Sequence, residues 1–157
     1  MNETIEPQLT ASVISLLSGT ELESALGTTF ELITVDEQGW PHVALLSVGE
    51  ILATGPSSLR LALWASSGTA ANLSRTARAL LTFVHDHRYH KVRLTATQTD
   101  SPAAGSRPLA AFLVTVVEVQ VDEVPYATVT GGITFELADA AATVKRWSDT
   151  LETLRDA

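Results

Sequence analysis

The sequence predicts a mainly β, α+β domain: a small six-stranded antiparallel barrel with helices at its two ends and one short helix inserted. Three observations carry this. Hydropathy alternates with period two through most of residues 30–121, turn residues punctuate that stretch ("DEQGW", "TGPSS"), and a helical period appears only near the ends and in "SGTAANLSRT". The expected division is a helical flank at 1–29, a barrel at 30–138 and a C-terminal helix at 139–157.

In the flank, "TASVISLLSG" places Val13, Leu16 and Leu17 on one helical face and stops at Gly19. Thr20 and Glu23 then have the Thr-x-x-Glu spacing of a capping box in front of "LESALG". From Phe30 the pattern is that of a hairpin: a β-rich run, a turn from Asp36 to Gly39, and a second run from His42 to Val48. Pro41 has no amide to donate, so it belongs at the start of that second strand. The next strand, Leu59 to Trp64, sets Leu59, Leu61 and Leu63 on one side and Arg60, Ala62 and Trp64 on the other.

"SGTAANLSRT" makes about two helical turns, with Ser67 as the cap and Leu73 as the inward residue. Strands at 80–85 and 90–99 follow, joined by the polar tip "DHRY"; the second alternates Val92, Leu94 and Ala96 against Lys91, Arg93, Thr95 and Thr97. After the loop "DSPAAGSRP", the run "AAFLVTVVEVQVDEV" is the strongest strand signal, and it should be central. Val144, Trp147, Leu151 and Leu154 form the stripe of an amphipathic final helix, capped by Asp139.

With 157 residues and 45% hydrophobic content, the chain suits one domain with its own core. It has no cysteine, which excludes disulfides, thiolate catalysis and cysteine-ligated zinc or iron–sulfur sites. The opening "MNETIEPQLT" has acids where a signal peptide has bases, and "LAAFLVTVV" falls far short of the ~18 apolar residues of a membrane span. A soluble cytoplasmic protein is therefore expected.

A net charge of −8 disfavours nucleic acid as a partner, since such binding depends on neutralising phosphates. The distribution adds something. Between Arg60 and Arg107 lie seven bases (also Arg75, Arg78, Arg88, Lys91 and Arg93) against two acids, Asp86 and Asp100. An electropositive island in an acidic chain suits a small anionic ligand.

There is no Gly-x-Ser-x-Gly elbow, Walker loop or dinucleotide fingerprint, and Asp36 and Glu37 are turn residues. "HDHRYH" offers His85, Asp86, His87 and His90 in metal-ligand types. At a hairpin tip they read better as polar turn residues, so no metal is expected.

The order of strand, "DEQGWPHVALLS", a strand ending "LALW", "SSGTAANL" opening a short helix, and then "ARALLTFV" resembles the pyridoxamine 5′-phosphate oxidase-like split barrels that bind flavin mononucleotide (FMN). The likeness runs from about Phe30 to Val121 and is most specific from Gly39 to Val84. It implies a split barrel, FMN as cofactor, a homodimer with the flavin at the subunit interface, and redox chemistry on a small substrate. His42 falls where that family has a basic residue at the start of the second strand, and Ser47 at that strand's end. Ser66, Ser67 and Thr69 fall in the phosphate loop, Asn72 one turn into the helix, and Lys91 at a position that reaches the flavin ring.

Each position also has a plainer reading: Ser67 as an ordinary helix cap, His42 as a sheet-surface residue, Lys91 as a solvated charge. Trp64 either stacks at a pocket or dimer seam, or is buried in the core. Two departures matter. Gly68 and Thr69 stand where the family often has Arg-Lys, so helix amides, hydroxyls and Arg60, Arg75 or Arg78 would have to offset a phosphate dianion. The chain's last segment, "DTLETLRDA", is acidic where the true oxidases have a basic one, so vitamin B6 oxidation is not expected. Alternatives are the same barrel holding a deazaflavin or haem, or a cofactor-free dimerisation or sensing module.

Overall fold

The strongest strand of the sequence is the spine of the sheet. The computed structural model describes residues 2–5, 7–100 and 108–157; residues 101–107 of the long loop, Arg107 included, lie outside the described residues. In chain order the strands are β1 (Asn2–Ile5), β2 (Phe30–Val35), β3 (Pro41–Leu46), β4 (Ile51–Gly55), β5 (Ser58–Trp64), β6 (Arg78–His85), β7 (Arg88–Thr99) and β8 (Leu109–Asp122). The helices are α1 (Ala11–Leu16), α2 (Gly68–Thr76) and α3 (Ala140–Arg155), with one 3-10 turn at Leu22–Ala25. Among the described residues, no helix is long and apolar enough to cross a membrane.

All strand pairs are antiparallel, in the order β3-β2-β6-β7-β8-β5-β4. β8 is central as expected: β7 pairs along one edge, while the other is shared by β5, opposite residues 109–115, and β1, opposite residues 119–122. A bulge lets one strand serve both. Arg93 opposes Glu118 and Leu94 opposes Val116, so Val117 is an extra, outward residue that bends β8 between its two partners.

The two ends of this ladder are β3 and β4, consecutive strands joined by residues 47–50 alone. Seven strands laid flat would hold those edges about 29 Å apart. Five residue steps span at most ~18 Å. The sheet must therefore roll until its edges approach, which gives an open barrel and encloses a core that includes Phe30, Leu32, Leu61, Leu81, Val92 and Phe112.

The α+β split-barrel class stands, and the strand count rises from the expected six to eight among the described residues. β4 was hidden because "VALLSVGEILATG" reads as one apolar run. Its turn is built by side chains: Ser47 Oγ donates to Glu50 Oε1 at 2.7 Å and accepts from the Gly49 amide at 3.2 Å. β1 has no alternation of its own and is a strand only through its pairing with β8, so the first 29 residues are not wholly helical.

The capping box does not form either. Thr20 Oγ1 lies 2.8 Å from Ser18 Oγ, and Glu21 heads a single 3-10 turn without a side-chain cap. Beyond β8, residues 123–138 form no further strand; isolated bridges at Thr28–Thr134 and Val124–Ala127 tack them down. The "HDHRYH" tip is tighter than expected: Asp86 and His87 alone make the turn, both with positive φ.

α3 starts at the expected cap, Asp139, whose Oδ1 accepts from the Ala142 amide at 3.0 Å. It lies against β4 and β5, with Trp147, Leu151 and Leu154 buried. Arg60 closes the far end of α3 by donating to the carbonyls of Leu154 and Arg155 at 2.6 and 2.8 Å.

Candidate functional site

Where β3, the β3–β4 turn, the end of β5, α2 and α3 converge, they leave a cavity of about 650 Å³. Its size is that of a small-molecule site. Ala44, Leu45, Leu46 and Ala62 give it apolar walls, and Trp64 and Trp147 add aromatic ones. Ser67 and Thr69 line it from α2, Glu50 from the turn, and Arg146 and Asp149 from α3.

The α2 wall follows from the small hydroxyl residues between two apolar runs. Ser67 has extended backbone angles and its Oγ accepts from the Ala70 amide at 3.1 Å, so the helix begins at Gly68 as the sequence indicates. The first-turn amides of Gly68 and Thr69 have no intrahelical acceptor and point out of the helix end. Thr69 is buried, and its Oγ1 lies 3.1 Å from His42 Nε2.

The turn wall is less expected. Glu50 is half-buried; burial, the dominant influence, pushes its carboxyl above the ordinary range, while hydrogen bonds from the Ser47 hydroxyl and amide pull the other way. Behind it, a Cβ on Gly49 would lie 2.0 Å from Trp147 Cγ, so only glycine lets α3 seat its indole on the turn.

Of the seven positions that the resemblance indicates, Ser67 and Thr69 line the cavity, as does Trp64, and His42 joins them through Thr69. Trp64 is 57% exposed, so its plainer reading as a core residue does not hold. Ser47 is buried beside the cavity and holds Glu50. Asn72 turns away, donating to Thr34 Oγ1 at 3.1 Å and accepting from Arg75 at 3.3 Å. Ser66 is exposed on the loop and does not line the cavity. Lys91 is on β7, with its Nζ 3.0 Å from Asp122 Oδ2, and does not line this cavity.

The arginines proposed as phosphate partners are placed elsewhere. Arg60 caps α3, Arg75 donates to the Val35 carbonyl and to Asn72, and Arg78 is exposed at the start of β6. Arg146 and Glu50 were missed. A lone acid within the apolar run "VALLSVGEILATG" was the available signal for Glu50, because a carboxylate there must be partnered or face a cavity.

The residues present fit a phosphate-bearing, flat cofactor: amides and hydroxyls at the α2 end, an apolar and aromatic body, and Arg146 as a lining cation. The hairpin-tip histidines bind protein groups. Ser12 Oγ donates to Asp86 Oδ2 at 2.7 Å and so accepts from His85 Nε2, also at 2.7 Å, and His87 Nδ1 lies 3.1 Å from the Val129 carbonyl.

This architecture is that of the pyridoxamine 5′-phosphate oxidase-like split barrels. A proposed pyridoxamine 5′-phosphate oxidase from Lactobacillus delbrueckii matches with a TM-score of 0.58 at 20% identity, over 74% of this chain and 98% of that one. An FMN-binding protein from Syntrophomonas wolfei matches at 0.51 with 18% identity, over 70% and 88% of the two chains. HutZ, the haem storage protein of Vibrio cholerae, matches at 0.50 with 12% identity, over 72% and 93%. At these identities the likeness carries the fold. The chain belongs to the family of YclD, an uncharacterized protein of Bacillus subtilis (strain 168): the two are 33% identical over 143 residues, 91% of this chain and 93% of the relative. No protein-family model matches the sequence.

Proposed function

We propose that the protein binds FMN in this cavity and acts as a flavin-dependent oxidoreductase on a small substrate, as a homodimer. The observation that carries the reading is the α2 wall, where a capped helix start, the Ser67 and Thr69 hydroxyls and His42 meet at one side of a cavity otherwise apolar and aromatic. Amide dipoles at such an end favour an anion even without a neighbouring arginine. Trp64 flanks the space beyond, where a flat ring system belongs.

When bound, the flavin supplies hydride acceptance; the chain supplies binding, orientation and exclusion of water. Lys91 enters this reading from a second subunit. Val35, Val43 and Leu45, exposed on β2 and β3, are the apolar surface that such a subunit would cover. Titrating FMN and following flavin fluorescence tests the reading: saturable quenching is expected, weakened at least about tenfold by Thr69→Ala. A protein that quenches nothing, or that takes up haem with a Soret band and ignores FMN, would overturn it.

A further inference from the structure

We propose that the part of the cavity lined by Glu50, Trp64 and Trp147 is a subsite for the ammonium group of a small aromatic or aliphatic amine. Glu50 has one carboxyl oxygen fixed: Oε1 accepts from both the hydroxyl and the amide of Ser47, at 2.7 and 3.3 Å. The described hydrogen bonds of this carboxyl all go to Ser47 through that oxygen, which leaves Oε2 for a ligand. The backbone at this point is equally fixed, since the Glu50 carbonyl accepts from the Ala62 amide at 3.0 Å, two residues before Trp64 on the same face of β5.

No cation of the protein pairs with Glu50 among the described residues; the ion pairs there involve Asp86, Asp122, Glu118 and Glu123. Of the charged groups that line the cavity, Arg146 and Asp149 are exposed residues on α3, whereas Glu50 is half-buried. A carboxylate held in a partly desolvated cavity without a counter-charge is costly, and an ammonium brought to it recovers that cost as a charge-assisted hydrogen bond. The two indoles complete the chemistry, because their faces attract a cation and their area accepts its apolar body. A neutral isostere gains only the second contribution.

The inference rests on the cavity being a ligand site and not on which cofactor shares it, so the two readings fail separately. Benzylamine and its neutral isostere benzyl alcohol are titrated calorimetrically into the full chain, with and without FMN. Benzylamine should bind at least about tenfold more tightly than benzyl alcohol. Glu50→Gln, which keeps an acceptor for Ser47, should erase that preference while leaving the affinity for benzyl alcohol and the circular dichroism spectrum unchanged. Equal binding of the two probes to the unsubstituted protein, or an unchanged preference in Glu50→Gln, overturns the subsite whatever FMN does. Loss of FMN binding alone overturns the flavin reading and leaves the amine subsite standing.

Discussion

His42 Nε2 and Thr69 Oγ1 lie 3.1 Å apart, although 27 residues separate them, and this contact joins the edge strand β3 to the first turn of α2. Both side chains are thereby held at the helix end that would receive an anion. Thr69→Val keeps the shape and removes the hydroxyl, so it should weaken FMN about tenfold or more without lowering the melting temperature appreciably. Thr69→Ser should retain most of the affinity. Fluorescence titration of the two variants checks this, and equal affinities would place the phosphate elsewhere.

Gly49 and Trp147 are packed directly against one another. With a Cβ at residue 49 only 2.0 Å from the indole, Gly49→Ala must push α3 off the turn. The expected loss is about 1–3 kcal/mol, in the range of overpacked cores. Trp147→Ala acts by the opposite route, leaving a void worth about 3–5 kcal/mol. Urea unfolding should show both losses, and the double variant should lose less than their sum because the second change removes the clash of the first.

Much of this was legible in the sequence wherever the cause is local. Ser67 and Asp139 cap the helices they were expected to cap, and Pro41 opens an edge strand because only an edge tolerates a missing donor. The alternation of β7 separates Val92, Leu94 and Ala96 from Lys91, Arg93 and Thr95 as expected. What escaped is non-local. β1 is a strand only because β8 has a vacant stretch of edge, and the Ser47–Glu50 turn carries none of the Gly-Asn-Pro chemistry that marks turns in sequence. For the site, residue type indicated the small hydroxyls of α2 but not the reach of an arginine. Arg60, Arg75 and Arg146 look alike in the sequence, yet only Arg146 borders the cavity.

His90 predicts an acid sensitivity. Its ring stacks on Phe83 with centroids 4.8 Å apart, and Nε2 lies 3.1 Å from the His85 carbonyl. Burial, ahead of every other influence, lowers its pKa; the His85 carbonyl raises it, and among the nearby charged groups His85 and Arg88 lower it while Asp86 raises it. The unfolded chain therefore takes up the proton first, and stability should fall as pH drops from about 6.5 through the depressed value. His90→Phe should flatten that slope in melting temperature between about pH 7 and about pH 5, whatever its effect on absolute stability. An unchanged slope would assign the sensitivity to another group.

Glu50 predicts the reverse trend. Burial raises its pKa above the ordinary carboxylate value, so the folded protein holds this proton more tightly than the unfolded chain does. The stability it contributes is present at low pH and declines as pH climbs from the unfolded value through the raised one. Glu50→Gln has no proton to lose and should escape that decline. Measured as urea midpoints from about pH 4 to about pH 8, the difference between the variant and the unsubstituted protein should move steadily in favour of the variant. Arg146 and Asp149 line the same cavity, so the comparison is repeated in Arg146→Gln and Asp149→Asn backgrounds, where the trend should keep its sign. Saturating benzylamine should reduce it, because an ammonium beside the carboxylate lowers the pKa that burial raised. A difference that is flat across this range would mean that the Glu50 carboxyl is as well solvated folded as unfolded, and the amine subsite would then lose the unpaired charge on which its selectivity depends.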